Sequence, residues 1–180
     1  LMTKTNWILA SLLLLLFVSS ASSQKVAVGY DHAADFSKIK TYSWAKGVPA
    51  KNPDIDRHII ASIEKQLQAK GLNRVDDGAD VLVSYHAAVM PDFESVTVAR
   101  PGTWGPRTGS AEAAWQVVRG SLIVEMVNPA TKQEVWRGNA TDTLSNEGPS
   151  IDVAKNLDKS KKKVDKVVEK LFKYYPPKAK

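Results

Sequence analysis

The stretch VVRGSLIVEMVNPATKQEVWRGNATDT, residues 117–143, decides the fold of this chain. Its first part, Val117 to Val127, gathers apolar residues on one side, namely Val118, Leu122, Val124 and Met126. Asn128-Pro129-Ala130-Thr131 supplies turn residues, and Glu134 to Thr143 returns as a second strand that carries Val135 and Trp136. The stretch therefore predicts a β-hairpin, which gives the domain an antiparallel part.

A strand and a helix are predicted upstream of the hairpin. Asp35 to Trp44 alternates apolar and polar residues over its second half and ends in aromatic side chains, which is typical of a strand. Asn52 can cap a helix, and Pro53 suits the position after the cap. The apolar stripe of this helix repeats every four residues and consists of Ile55, Ile59, Ile63 and Leu67. Gly71 ends the helix, since glycine is favoured just past the last turn.

One more strand and a last helix complete the predicted elements. Asp76-Asp77-Gly78 is a turn signal before a β-rich run from Ala79 to Val89, in which one face carries Val81, Val83, Tyr85 and Val89. The last helix is expected to begin after Ser150 and to end near Tyr174, because Pro176 cannot continue it. Its buried stripe is predicted to contain Ala154, Leu157, Val164, Val168 and Leu171, widened by Val167 and Phe172.

The element order is strand, helix, three strands, helix, and it predicts an α+β fold. The strand-helix-strand segment favours a parallel crossover, while the hairpin adds antiparallel neighbours. We therefore expect a mixed, mostly antiparallel sheet with both helices packed on one face, in a single domain over residues 25–180. Residues 90–115 are rich in Gly, Pro and Arg and show no clear periodicity. They are predicted as a loop that is functional, forms an edge hairpin or is locally mobile.

The N-terminal segment predicts export. Lys4 precedes an apolar run from Ile8 to Val18, in which Ser11 is the one polar residue, and then small polar residues, which is the layout of a secretory signal peptide. The run is shorter than the ~20 residues of a membrane-spanning helix. We predict a signal peptide over residues 1–24, cleaved near residues 21–24, and a mature protein in the periplasm or associated with the cell envelope. The chain has no cysteine, so neither a disulfide nor an acylated cysteine after the leader is expected.

Basic residues concentrate at the C-terminal end. The formal net charge is +6, and residues 151–180 hold 10 lysines against 4 acidic residues. Six lysines recur at helical spacing on the side away from the apolar stripe, and together they form the lysine ridge: Lys155, Lys159, Lys162, Lys166, Lys170 and Lys173. This ridge is a candidate site for anionic lipid headgroups or another polyanion, and the alternative is an ordinary solvated helix face. No nucleic acid is expected as a partner, because no aromatic stacking pattern accompanies the lysines.

Residues 90–115 also contain four side chains of the kind that is enriched at the energetic centres of protein interfaces: Arg100, Trp104, Arg107 and Trp115. Trp and Arg combine a large contact area with hydrogen-bond donors, so these four are candidate partner-binding residues for another envelope protein. The alternative is that Trp104 or Trp115 folds back over the sheet. Trp44 and Trp136 lie within strand patterns and are predicted to be core residues.

No pattern of catalytic or cofactor-binding residues is recognised. The three histidines, His32, His58 and His86, lack metal-ligand spacing. The acidic residues Asp76, Asp77 and Asp80 lack the spacing of a calcium loop. There is no GxSxG elbow, P-loop or dinucleotide fingerprint. We therefore predict no catalytic residue, no metal and no cofactor, and a hydrolase with an unrecognised site is kept as an alternative.

Five segments occur in an order that resembles a known bacterial family, the domain of unknown function 4136. They are Asp35-Phe36-Ser37 running into Thr41-Tyr42-Ser43-Trp44, Lys70-Gly71-Leu72, Ala79-Asp80-Val81-Leu82-Val83, Gly120-Ser121-Leu122-Ile123-Val124 and Val135-Trp136-Arg137-Gly138. The likeness covers roughly Val26 to Pro177. Members of the family resemble envelope lipoproteins of no established activity, with an acylated cysteine that this chain lacks. The resemblance implies an envelope protein, and it supplies no site residue. Together with the missing catalytic motifs, this favours a non-catalytic envelope protein that binds another envelope component through its loop or last helix.

Overall fold

The structure is a computed structural model that describes residues 25–100, 109–145 and 157–177. The predicted leader and the predicted residues Trp104, Arg107, Ser150, Ala154 and Lys155 lie outside these ranges. Within them, six strands and two helices follow one another: β1 Lys25–Tyr30, β2 Thr41–Trp44, α1 Pro53–Ala69, β3 Asn73–Arg74, β4 Val81–Arg100, β5 Gly109–Val127, β6 Glu134–Ser145 and α2 Leu157–Phe172.

The strands form one mixed sheet in the order β1-β6-β5-β4-β2-β3. β2 pairs in parallel with β4 and with β3, and the remaining neighbours are antiparallel. This arrangement confirms the predicted α+β class, with the parallel crossover through α1 and the hairpin of β5 and β6. The strands β1 and β3 were not predicted. β1 offers only three alternating apolar residues beside the expected cleavage site, and β3 has two residues, so neither provides a clear period.

The helix α1 begins and ends at the predicted residues. The Asn52 side chain accepts hydrogen bonds from the backbone N–H groups of Asp54 and Ile55, which satisfies two donors of the first turn. Gly71 follows the last turn with a φ of 83°, a conformation that residues with a Cβ rarely adopt. The chain can therefore turn back directly into β3, with Leu72 buried beneath the helix end.

Asp80 fixes where β2 meets β4. Its carboxylate accepts hydrogen bonds from the backbone N–H groups of Lys40 and Thr41 and from the Thr41 hydroxyl, at 2.8 to 2.9 Å. The backbone hydrogen bond from Lys40, followed by the two bonds from Thr41, lowers the pKa of Asp80. Asp80 thus joins the start of β4 to the start of β2.

Both helices pack on one face of the sheet and share a single core. α1 contributes Ile59, Ile63 and Leu67, and α2 contributes Val167, Val168, Leu171 and Phe172. Trp136 of β6 is fully buried among these side chains, as predicted, whereas Trp44 of β2 is only partly buried against the core. Tyr175, just past α2, is 2% exposed and closes the core edge-on to the Trp136 ring. The sheet and helices therefore form a rigid scaffold for the surfaces described below.

The stretch predicted as a loop, residues 90–115, is largely strand. β4 runs on to Arg100, β5 starts at Gly109, and the two pair without interruption from Leu82↔Val127 to Arg100↔Gly109. Of the alternatives, the described parts of this stretch therefore form a hairpin rather than an irregular loop. The hairpin is not evident from the sequence, because Pro91 and the Gly- and Pro-containing residues 101–106 interrupt the alternation of apolar and polar residues.

Candidate functional site

The outer part of the β4–β5 hairpin extends past the neighbouring strands. On the β4 side, the neighbouring segment pairs with β4 only as far as Val48. The Val48 carbonyl accepts the last hydrogen bond along this edge, from the Ala87 N–H at 2.9 Å. On the β5 side, pairing with β6 ends at Val118↔Ser145. Within the described part of the chain, residues 88–100 of β4 pair only with β5, and residues 109–117 of β5 pair only with β4; these two segments are hereafter the hairpin arm. From Asp92↔Val117 outward the arm is a two-stranded ribbon with unpaired backbone groups along its edges.

The base of the arm carries large apolar side chains in solvent. Val89, Met90 and Phe93 are 60%, 55% and 71% exposed. Val89 continues the face of Val81, Val83 and Tyr85, which are all buried, so the covered face of β4 ends before Val89. The neighbouring charge is balanced: Asp92 pairs with Arg119, and the Phe93 backbone N–H together with Arg119 lowers the pKa of the Asp92 carboxyl. Because successive residues of a strand alternate faces, Val89 and Phe93 lie on one face of the arm and Met90 lies on the other. Exposed apolar side chains on both faces, beside an ion pair, are suited to protein contact.

Two of the four predicted partner-binding residues lie on the described part of this arm. Arg100 is the last residue of β4, opposite Gly109, and Trp115 lies on β5, opposite Glu94. Six residue pairs separate these positions, which corresponds to about 20 Å along the ribbon. The fold therefore places Arg100 and Trp115 on one element but not in one compact patch. Trp104 and Arg107 come between the two strands in the sequence and lie outside the described residues.

Sequence analysis placed Val89 on the apolar face of a strand and Met90 and Phe93 within the predicted loop, and it singled out none of the three as a binding residue. Their exposure follows from how far β2, β6 and the helices reach. The one available signal was Pro91, which is rarely found in a central strand.

The described part of the lysine ridge lies along the outer side of α2. Lys159, Lys162, Lys166 and Lys173 are exposed and Lys170 is partly exposed. At the pitch of an α-helix the five fall within about 80° around the axis. None of them forms an ion pair with another residue in the ranges that the structure describes. The ridge is therefore a continuous row of available positive charge.

Lys163 has a different role from the ridge lysines. Its ammonium donates hydrogen bonds to the backbone carbonyls of Thr143 at 2.6 Å and Leu144 at 3.3 Å. These bonds attach α2 to the end of β6 and hold the ridge facing away from the sheet.

Two of the histidines contact acidic side chains. His58 Nε2 lies 2.9 Å from Asp165 Oδ1, and the Ser62 hydroxyl donates a hydrogen bond to the same oxygen at 2.6 Å. This trio links α1 to α2. His86 lies 3.5 Å from Glu125, which also pairs with Arg137.

Tyr85 and Asp56 form a partly buried polar contact at the start of α1. The Tyr85 hydroxyl donates to Asp56 Oδ1 at 2.5 Å, and burial followed by this bond raises the pKa of Tyr85. The Ala50 N–H donates to the same oxygen at 2.7 Å. The pair therefore serves to join the helix start to β4. No group of three or more potential metal ligands occurs among the described residues.

The fold and its surfaces define a small α+β domain that presents a projecting hairpin and a basic helix. The chain belongs to the DUF4136 family, a domain of unknown function, whose family model matches residues 26–177. A search of curated proteins found no match. Within the described residues, no helix has the length and apolar character needed to cross a membrane.

Solved structures share the fold at low sequence identity. A PDZ domain protein from Parabacteroides distasonis has a TM-score of 0.54 and 15% identity, over 87% of this chain and 36% of that one. This chain thus spans about a third of that protein's length. The PelC dodecamer from Paraburkholderia phytofirmans has a TM-score of 0.49 and 12% identity, over 82% of this chain and 94% of that one. Only the first structure, with a TM-score above 0.5, supports the assignment of the fold. At these sequence identities neither structure is evidence of an activity.

Proposed function

We propose that this protein is an exported, non-catalytic protein of the bacterial cell envelope that binds another envelope protein through the hairpin arm. The observation that carries the proposal is Phe93, which is 71% exposed at the base of a ribbon that no other described strand flanks. The sequence supports export through its signal-peptide-like leader. Family membership supports an envelope role, because related proteins resemble envelope lipoproteins.

Two physical arguments favour a protein partner. An isolated two-stranded ribbon is marginally stable in water, and a partner that covers the arm supplies the missing packing. The edge of β4 from Ala88 to Arg100 also offers unpaired backbone groups, to which an extended strand of a partner can add. Apolar contact at Met90 and Phe93 then contributes affinity, and the strand edge fixes the orientation.

The test compares two double variants after crosslinking in intact cells and purification from the cell envelope. Met90→Ser with Phe93→Ser removes one exposed apolar side chain from each face of the arm, while Lys65→Ser with Gln68→Ser alters exposed positions on α1 as the matched control. We expect the arm variant to lose a crosslinked partner that the wild type and the control retain. An identical set of crosslinked proteins for all three would overturn the proposal.

Self-association must be separated from binding to a different protein. The mass of the purified mature protein in solution is therefore measured for the wild type and the arm variant. We expect both to have the same mass. An oligomer that dissociates on changing Met90 and Phe93 would show instead that the arm binds a second copy of this chain.

A second candidate function, binding to an anionic surface, is favoured by the unpaired ridge lysines of α2. Each lysine held near an anionic membrane contributes about 1 kcal/mol. We expect the mature protein to sediment with vesicles that contain phosphatidylglycerol at low salt and to be released at high salt. Lys159→Glu with Lys162→Glu and Lys166→Glu should abolish sedimentation, whereas Lys46→Glu with Lys51→Glu and Lys65→Glu should not. Equal recovery with neutral vesicles would reject this candidate.

A further inference from the structure

A cleft of about 440 Å³ lies at the opposite end of the domain from the hairpin arm. Three segments form it: the loop from β1 to β2, the C-terminal end of α1 around Lys70 and Leu72, and the chain after α2 from Tyr175 to Pro177. Ligand pockets in proteins commonly measure about 300–1,000 Å³ and are mostly apolar with a few placed polar groups. The cleft meets both conditions, and neither the arm nor the lysine ridge contributes to it.

Aromatic side chains line the cleft in a connected series. Tyr30 contacts His32 at a ring-centroid distance of 4.5 Å and Phe36 at 6.2 Å, and Phe36 contacts Tyr175 at 5.8 Å. Tyr175 is 2% exposed, and burial raises its pKa to about 12, so its hydroxyl stays uncharged. The series continues through Tyr175 to the buried Trp136. These contacts hold the aromatic wall in place before any ligand binds.

The charged groups at the rim differ in whether they already contact another residue. Asp35 accepts hydrogen bonds from the Ser37 backbone and hydroxyl and lies 3.4 Å from the Lys38 ammonium. Asp31 accepts the Ala33 N–H at 2.8 Å. Both carboxylates are therefore engaged within their own loop. The ammonium groups of Lys40 and Lys70 are exposed and form no ion pair with any residue the structure describes.

We infer that this cleft binds a small amphipathic anion, in which an apolar ring or short chain carries one carboxylate, sulfonate or phosphate group. The apolar part lies against Tyr30, Phe36 and Tyr175, and the acidic group lies between the ammonium groups of Lys40 and Lys70. An uncharged analogue of the same shape leaves the two lysines without a partner and binds more weakly.

A matched pair of fluorescent probes tests the charge requirement. Anilinonaphthalene sulfonate is an aromatic anion, and N-phenylnaphthylamine is its uncharged counterpart. The titrations use the variant with Val89→Ser, Met90→Ser and Phe93→Ser, so that these exposed apolar residues of the arm do not bind the probe. We expect a saturable site for the anion and an affinity about tenfold lower for the neutral probe, since two exposed ion pairs are lost.

Two lysine variants locate the site. Lys40→Gln with Lys70→Gln should weaken binding of the anion about tenfold and leave binding of the neutral probe unchanged. The control, Lys46→Gln with Lys51→Gln, changes exposed lysines outside the cleft and should have no effect. All four positions are exposed, so the variants are expected to fold. Equal affinities for the two probes, or equal losses for the two lysine pairs, would overturn the inference.

Discussion

Substitution of Gly138 by alanine tests how tightly the core closes around Trp136. A Cβ at this position would lie 2.6 Å from Trp136 Cη2 and 2.9 Å from Leu171 Cδ2. Both side chains are fully buried, so neither can move without displacing the core between β6 and α2. Overpacking of this kind typically costs about 1–3 kcal/mol. Replacing a glycine within a strand by alanine lowers the conformational entropy that is lost on folding, and this stabilises the fold by about 0.5–1 kcal/mol. We therefore expect a net loss of about 1–2 kcal/mol.

Gly29 provides the control on the neighbouring strand. It lies on β1, which pairs with β6 at Val28↔Gly138 and Gly29↔Arg137, but a Cβ at Gly29 meets no atom within 4 Å. Gly29→Ala should therefore be neutral or stabilise the fold by up to about 1 kcal/mol. The measurement is urea unfolding of the mature protein, supported by a melting temperature about 2–8 °C lower for Gly138→Ala.

A double-mutant cycle assigns the loss to the Trp136 ring. Trp136→Phe removes the part of the indole that approaches Gly138 and also removes Nε1, a buried donor that has no hydrogen-bond partner among the described residues. The single variant is destabilised by the cavity that it leaves. In its background, however, Gly138→Ala should cost at least 0.5 kcal/mol less, roughly the smallest coupling expected for residues in contact. Wild-type stability of Gly138→Ala, or strict additivity in the cycle, would refute the reasoning.

Three further predictions concern polar contacts. Asn52→Ala removes the cap of α1 and should lower the free energy of unfolding by about 1 kcal/mol in urea titrations; an unchanged midpoint would contradict the capping role. Tyr85→Phe leaves Asp56 without its hydroxyl partner and should cost about 1–2 kcal/mol, whereas Tyr174→Phe, at a 54% exposed position, should cost nothing measurable. The folded pKa of Asp80 lies below its unfolded value, so its contribution is present above the unfolded pKa and is lost as the pH falls through the folded pKa. Asp80→Asn should therefore destabilise the protein at neutral pH and show a shallower loss of stability below about pH 4, and parallel curves for the two proteins would disprove this linkage.

The sequence alone was sufficient to predict structural features that short local motifs determine. The cap at Asn52, the stop at Gly71 and the turn at Asn128 depend on neighbouring residues, and the structure contains the corresponding hydrogen bonds and dihedral angles. The α+β class followed from the order of these elements. β1 and β3 were missed because short strands depend on a partner distant in sequence, such as Arg137 opposite Gly29.

The candidate sites were less predictable than the fold. The spacing of the ridge lysines is a local property and was read directly. By contrast, exposure of Phe93 depends on where β2 and β6 end, and the cleft brings Tyr30, Phe36 and Tyr175 together from segments up to 145 positions apart. Such convergence is set by tertiary packing, and no single segment contains a signal for it.

The lysine ridge, the hairpin arm and the cleft lie on different sides of one core, so their roles can be tested separately. The lysine ridge turns away from the sheet, since Val168 and Leu171 of α2 are fully buried against it. The hairpin arm begins beyond the last residues of β2 and β6, and Phe93 contributes nothing to the core. The cleft alone is coupled to the core, because Tyr175 contacts both Phe36 and Trp136. Substitutions at exposed positions of the arm or the ridge should therefore change binding without changing stability, whereas replacement of Tyr175 should change both.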